Sequence, residues 1–346
     1  MSWLRETCPA SGISASLAVD FGDEPLNLSA THGWCRRCLF GTAMQFGLLL
    51  AGLLGVVAIQ PARAANDPHV LVLGRISDNP QDHYEQLKPL LDYVVPRMRS
   101  VGITEGRILM ARDSRQMASY LRRGRVDWVT ETTGTALQLE RQADAEPLLL
   151  TERDGVSSYH TVFFSRRNSN VDSLGDLTGH SIALQHVSST SAYFIPAAEM
   201  LDDGLRMEIL LSPMEQPSSN AVGYVFARSE LNISTWVAKG LVDAGAMSNL
   251  DWDNPKAMPP NYRKDMKIFH ESISYPRALE MVRSDLEPAV AARLREVLLE
   301  AATDPDAGDA LLQFFKTTRF LPIDGELEQT LDVLRKRTAR VSTELE

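Results

Sequence analysis

Between His69 and Thr151 the chain alternates short runs of buried-type residues with segments of helical periodicity, and this alternation restricts the fold more than any other feature. His69 to Gly74 reads as a strand, Asp82 to Met98 as an amphipathic helix and Arg107 to Ala111 as a second strand. Ser114 to Arg123 then reads as a helix and Val126 to Thr130 as a third strand. Neighbouring strands separated by helix-length segments run parallel, because a hairpin cannot join them and a crossover can. The pattern predicts a βαβ sheet.

Thr135 to Gln142 reads as a helix and Pro147 to Thr151 as a strand, and the β-branched and aromatic run Tyr159 to Ser165 leads into a second series. That series comprises strand Ser181 to Leu184, a helix from Tyr193, strand Met207 to Leu211, a helix around Ile233 to Ala238 and strand Leu241 to Gly245. Ala278 to Val282 is a later strand, followed by helices over Leu286 to Ala302, Asp309 to Phe315 and Gly325 to Val341. Asn254 to Tyr262, rich in Pro and Asn, reads as an irregular loop. Two α/β lobes in succession leave a cleft between them, a usual place for a small ligand.

The 346 residues carry a formal charge of −10 with their basic residues scattered, which disfavours a nucleic-acid partner, since a phosphate backbone needs a basic stripe. Arg36 and Arg37 precede an apolar run from Leu39 to Ile59 that ends in small residues, with an A-x-A-type cut after Ala64. The alternative is an uncleaved anchor, but Gly52, Gly55 and the small-residue end favour cleavage, export to the periplasm and no stable membrane insertion afterwards. Met1 to Gly33 fits no targeting pattern, as expected of a stretch lying before the authentic start. Cys8, Cys35 and Cys38 all precede the cut, so a mature domain would hold no disulfide and no thiol. No cysteine stands at the cut to carry a lipid.

The chemistry concentrates in Gln185-His186-Val187-Ser188-Ser189-Thr190-Ser191-Ala192-Tyr193-Phe194-Ile195-Pro196, a hydroxyl-rich turn between a strand and a helix. Free backbone N–H groups, the positive end of a helix dipole and several hydroxyls converge there on one point, as a tetrahedral oxyanion requires. Ser and Thr are also the preferred N-cap residues, so Ser189, Thr190 or Ser191 has a purely structural reading as well. A hydroxyl can serve both roles.

Several segments in order resemble the periplasmic phosphonate-binding proteins of ABC importers, within the phosphate, phosphite and phosphonate binding group that has the type II solute-binding fold. Arg122-Arg123-Gly124-Arg125-Val126-Asp127-Trp128 resembles that family's approach to its cleft, and Ser158 to Ser165 its crossover strand. Ser173 to Ala183 is similar to its second-lobe opening, Ser189 to Pro196 to its Ser-Thr-Ser-Gly turn, and Lys239-Gly240-Leu241-Val242-Asp243-Ala244-Gly245-Ala246 to its second glycine and Val-Asp-Ala signature. The resemblance implies a two-lobe α/β protein, with lobe 1 from residues 66–160 plus 276–346, lobe 2 from 161–275 and an extension and signal over 1–64. It implies that Ser189, Thr190 and Ser191 hold the oxyanion. Hinge motion would occur near Tyr159 to Ser165 and Ser274 to Met281.

Strand ends facing the crevice nominate further walls: the Arg75 to Asn79 loop with Arg75, the segment Glu131, Thr132 and Thr133, Tyr159 on the crossover, and Ser248 and Asn249. Three departures from the family pattern stand out. Ala192 replaces a usual glycine, which is acceptable where that residue already has helical angles. Glu131 would repel a dianion, so it points away, pairs with Arg75 or meets a cationic or protonated ligand group. Glu230-Leu231-Asn232 stands where the family's histidine and acidic ligands are expected.

His69, His83, His160, His180, His186 and His270 form no pair at metal-ligand spacing, and His186 before Ser189 lacks the nucleophile elbow and orienting acid of a hydrolase. No metal, cofactor or enzymatic activity is expected. Trp128 and Trp236 read as core and Trp252 as a loop anchor. The expected function is capture of a small oxyanion, a phosphonate, phosphate or phosphite, for an ABC permease. The alternatives are a periplasmic sensor that docks on a membrane receptor or kinase, and binding of a non-phosphorus solute.

Overall fold

A computed structural model describes residues 67–345. The signal segment, its cut after Ala64, the stretch from Met1 to Gly33 and all three cysteines lie outside the described residues. The first strand, β1 (Val70–Ile76), is buried through its first five residues, and α1 (Pro80–Arg97) follows with a proline in its first turn, where the missing N–H costs nothing. Next come β2 (Glu105–Ala111), α2 (Ser114–Arg122), β3 (Trp128–Thr132), α3 (Thr133–Ala143) and β4 (Glu146–Arg153). Asp113 caps α2 by accepting the Gln116 N–H at 2.8 Å.

The β-branched and aromatic crossover is two strands, β5 (Ser158–Tyr159) and β6 (Thr161–Arg166), separated at His160. After β7 (Ser181–Leu184) a π-helical turn over Thr190–Phe194 leads into α4 (Ile195–Asp202). The chain continues through β8 (Met207–Ile209), β9 (Val222–Phe226), α5 (Glu230–Lys239), β10 (Ala244–Ser248), α6 (Asn249–Asp253), α7 (Pro260–Arg263) and β11 (Met266–Glu271). It returns through β12 (Tyr275–Pro276) and β13 (Ala278–Val282) and closes with α8 (Pro288–Glu300), α9 (Gly308–Gln313), β14 (Thr317–Leu321) and α10 (Gly325–Leu345).

Two six-stranded sheets result, in the orders β14-β4-β13-β3-β1-β2 and β11-β6-β10-β7-β9-β8, and β5 pairs with β12 between them. Each sheet has an apolar cluster on either face. In the first sheet β1, β2, β3 and β4 point the same way while β13 and β14 run against β4, so the C-terminal ends of β1, β3 and β4 share an edge. The same holds for β7, β8, β9 and β10 in the second sheet. These two edges form the walls of the site.

Helix α10 belongs to neither sheet alone. Its Leu331 and Leu334 are buried with the first sheet's residues and its Val341 with the second's. Arg335 pairs with Glu140 of α3 at 3.0 Å, whereas Arg337 reaches Glu199 at 2.8 Å and Asp202 at 2.9 Å on α4.

Sequence and structure differ in identifiable places. The strand expected over Leu241 to Gly245 begins at Ala244, because Gly240 ends α5 in the left-handed region at φ 68° and the chain needs Leu241 to Asp243 to turn back. Asp243 spends its carboxylate in that turn, accepting the Ser181 N–H at 2.9 Å. The expected strand Met207 to Leu211 stops at Ile209, leaving Leu211 90 % exposed. Strands β9, β11 and β14 were not anticipated; β9 lies inside its sheet between β7 and β8.

Candidate functional site

The two strand edges enclose a cavity of about 510 Å³. Its second-sheet wall is the hydroxyl turn. Ser189 Oγ accepts the Ala192 N–H at 3.2 Å, so Ser189 is the N-cap of the π turn. Thr190 Oγ1 accepts the Gly134 N–H at 2.8 Å from the first turn of α3, and Thr135 Oγ1 donates to Ser188 O at 2.9 Å. A hydroxyl that accepts a backbone N–H keeps its own proton to donate, so capping and ligand binding are compatible at Ser189 and Thr190. The Ser191 hydroxyl bonds Tyr159, whose own hydroxyl burial holds protonated, with a pKa pushed up to about 12.

Gly134 is required by this approach of α3 to the turn. A Cβ there would stand 2.6 Å from Phe194 and 3.0 Å from Thr190 Oγ1, closer than side-chain carbons come. Ala192 lies at φ −120°, ψ 19°, angles that are not helical but keep φ negative, so the position does not require glycine. The sequence expected helical angles there; the π turn instead opens the backbone at this residue.

The first-sheet wall is built on arginine. Arg75, near the end of β1, donates to Thr130 O at 2.7 Å and pairs with Glu131 Oε2 at 3.2 Å, while Glu131 Oε1 accepts the Ile76 N–H at 2.8 Å. Of the three roles open to Glu131, pairing with Arg75 is the one found. Burial raises the Glu131 pKa, and Arg75 opposes that rise. Arg153 ends β4 beneath them, and Arg277 donates to Arg153 O at 2.7 Å. Arg112 and Arg228 complete five arginines around the cavity.

Acidic groups occupy the second-sheet side. Glu230, at the start of α5, is raised to about 7 by burial and by the charge of Asp251. Asp251 is also raised by burial, although Ser248 Oγ donates to it at 2.5 Å. His186 Nδ1 meets Ser188 Oγ at 2.9 Å, and burial lowers its pKa, which favours the neutral imidazole.

Of the residues nominated from the sequence, Arg75, Glu131, Thr132, Tyr159, Ser189, Thr190, Ser191 and Ser248 line this one cavity. Thr133 and Asn249 do not. Thr133 Oγ1 donates to Pro276 O at 2.6 Å, and Asn249 Oδ1 accepts the His160 N–H at 3.1 Å, so both serve the joint between the sheets. Trp128, Trp236 and Trp252 are likewise absent from the wall, and Trp128 Nε1 donates at 2.6 Å to the fully buried Glu280. Arg112, Arg153, Arg228, Arg277, His83 and Asp251 were not nominated. The strand-end argument applied to Pro147 to Thr151 and Ala278 to Val282 would have reached Arg153 and Arg277, each within two residues of those runs.

Among the described residues no helix is long and apolar enough to cross a membrane. A model of the family described as ABC transporter, phosphonate, periplasmic substrate-binding protein matches residues 73–327. XAC2383 from Xanthomonas citri is 54 % identical, the match covering 80 % of this chain and 100 % of that one. Its structure bound to chloride ion gives a TM-score of 0.78 and its structure bound to ATP 0.77. PhnD1 from Prochlorococcus marinus, in complex with methylphosphonate, shares the fold at 17 % identity and a TM-score of 0.56, covering 81 % of this chain and 100 % of that one. With its two-sheet α/β architecture and a family match running from β1 into α10, the chain belongs to the periplasmic phosphonate-type substrate-binding proteins of ABC transporters, a solute-binding family with the type II periplasmic fold.

Proposed function

We propose that this protein captures a phosphorus oxyanion, a phosphonate, phosphate, phosphite or phosphate ester, and presents it to a membrane ABC permease. The observation that carries the reading is the meeting, across one cavity, of the Ser189-Thr190-Ser191 hydroxyls with an arginine-rich wall. Hydroxyls with free protons and guanidinium groups are the donors such an oxyanion needs, and a partly dry cavity strengthens each charge-assisted bond. Residues 66–160 with 276–346 act as one lobe and 161–275 as the other, turning about the β5–β12 pair, where the Tyr159 and Tyr275 rings lie 4.8 Å apart.

The size of the cavity supports a solute larger than a bare oxyanion, and both ligands of the 54 % identical relative, chloride and ATP, are anions. Export through a signal peptide cleaved near Ala64 accompanies this reading. The test is isothermal calorimetry of the mature protein with phosphate, phosphite, methylphosphonate, aminoethylphosphonate, sulfate, ATP and uncharged solutes. Saturable binding confined to phosphorus anions is the expected result; binding of an uncharged solute alone would overturn it.

A further inference from the structure

Arg153 is 7 % exposed, and its Nε is buried with no hydrogen-bond partner among the described residues. Its hydrogen bond to Thr130 Oγ1 is long at 3.4 Å, and it forms no ion pair among the described residues. Arg75 Nε is buried and unpartnered in the same way. Two guanidiniums are thus brought out of water with much of their donor capacity unspent. Burial disfavours the Arg153 charge, Arg75 and Arg277 bear on it with like charge, and Glu280 and Glu131 oppose them. Glu280 itself already accepts hydrogen bonds from Trp128, from Thr130 at 2.8 Å and from Thr151 at 2.6 Å.

Phe315 holds this arrangement in place. The Arg75 Cζ lies 4.9 Å and the Arg153 Cζ 4.6 Å from its ring centroid, and His83 packs at 5.8 Å. Phe315 and Lys316 both have positive φ, 52° and 55°, a costly backbone for two successive non-glycine residues. Stacking on an aromatic face fixes a guanidinium plane while leaving its N–H edge free for a bidentate anion.

We infer that Arg153, with Arg75, Arg277 and the Phe315 ring behind it, forms a second anion subsite, so that the cavity selects a solute bearing two anionic groups, as a diphosphate does. The inference rests on the oxyanion-capture reading and assigns one anionic group to the hydroxyl turn and the other to the arginines. Tyr159 joins the two subsites, since it bonds Ser191 and lies within electrostatic reach of Arg277 and Arg153.

The test compares phosphate, methylphosphonate and pyrophosphate by calorimetry at fixed ionic strength. The wild-type protein should bind pyrophosphate at least about tenfold more tightly than phosphate. Arg153→Lys keeps the charge and removes the planar fork, and should cut that preference by about tenfold; Phe315→Leu, an independent variant, should cut it in the same direction. If phosphate or methylphosphonate binds and pyrophosphate is no tighter, the second subsite is overturned while oxyanion capture stands. If no phosphorus anion binds, both fall. An equal loss for every anion in Arg153→Lys, together with a lower melting temperature of the empty protein, would make Arg153 a counter-charge to Glu280 and overturn the subsite.

Discussion

Thr190 illustrates how a residue read as either cap or ligand donor acquires a third task. Its hydroxyl receives the Gly134 N–H across the two halves of the molecule. Thr190→Ala should therefore weaken oxyanion binding by about 1–3 kcal/mol and also lower the stability of the empty protein by about 1 kcal/mol, because a buried N–H loses its partner. Thr190→Ser should recover most of both losses, as read by calorimetry and by denaturant titration. Glu230 gives a pH dependence of definite sign. Its folded pKa of about 7 lies above the ordinary carboxyl value, so its contribution to stability is complete below about pH 4.5 and is lost as pH rises through 7. Ionisation also places a negative charge in the cavity, so affinity for a phosphate diester, whose single charge does not change in this range, should fall between pH 6 and pH 8. Glu230→Gln should flatten that fall. The hydroxyl turn was legible from the sequence because its donors are contiguous; of the arginine wall only Arg75 was, because Arg153 ends β4 and Arg277 sits between β12 and β13, and only the sheet order brings them to β1.

At the scale of elements, strands followed by helices were readable from periodicity alone, and β1, β3, β7 and β13 fall where the apolar runs placed them. β9 escaped because Val222–Phe226 follows a Pro- and Ser-rich stretch that reads as loop, and β11 because Met266–Glu271 mixes charge with apolar residues. β14 escaped because an extended run with Arg319 on it has too little apolar signal; Arg319 instead pairs with Glu152 of β4 at 2.9 Å. The π turn is the element that sequence could not give, since its opening is set by how α3 and α4 pack around it. Ala192 is well suited to its non-helical but negative φ, so the family's glycine is not needed here. Ala192→Gly should lower stability by about 0.5–1 kcal/mol through the greater freedom of the unfolded chain, measurable as a small fall in melting temperature.

For the molecule as a whole, the interlobe joint combines the β5–β12 pair, the Thr190–Gly134 bond and α10. Thr161 Oγ1 lies 2.7 Å from Tyr275 Oη at that joint, a buried polar contact between outgoing and returning strands. Glu199 on α4 faces both Arg337 and His270, the latter at 3.1 Å. Arg337→Ala should cost about 1–3 kcal/mol in denaturant titration, since one partner of a largely buried ion pair is removed. Helix α10 is bonded to α3 through Arg335 and to α4 through Arg337 and Arg340, so a rotation of one sheet relative to the other must be taken up in this helix, by bending or by exchange of its arginine partners. An environment-sensitive fluorophore on its outward side, at Lys336 for example, would then convert solute occupancy into an optical signal without occupying the binding cavity, and this last helix is where a biosensor built on the protein should carry its dye.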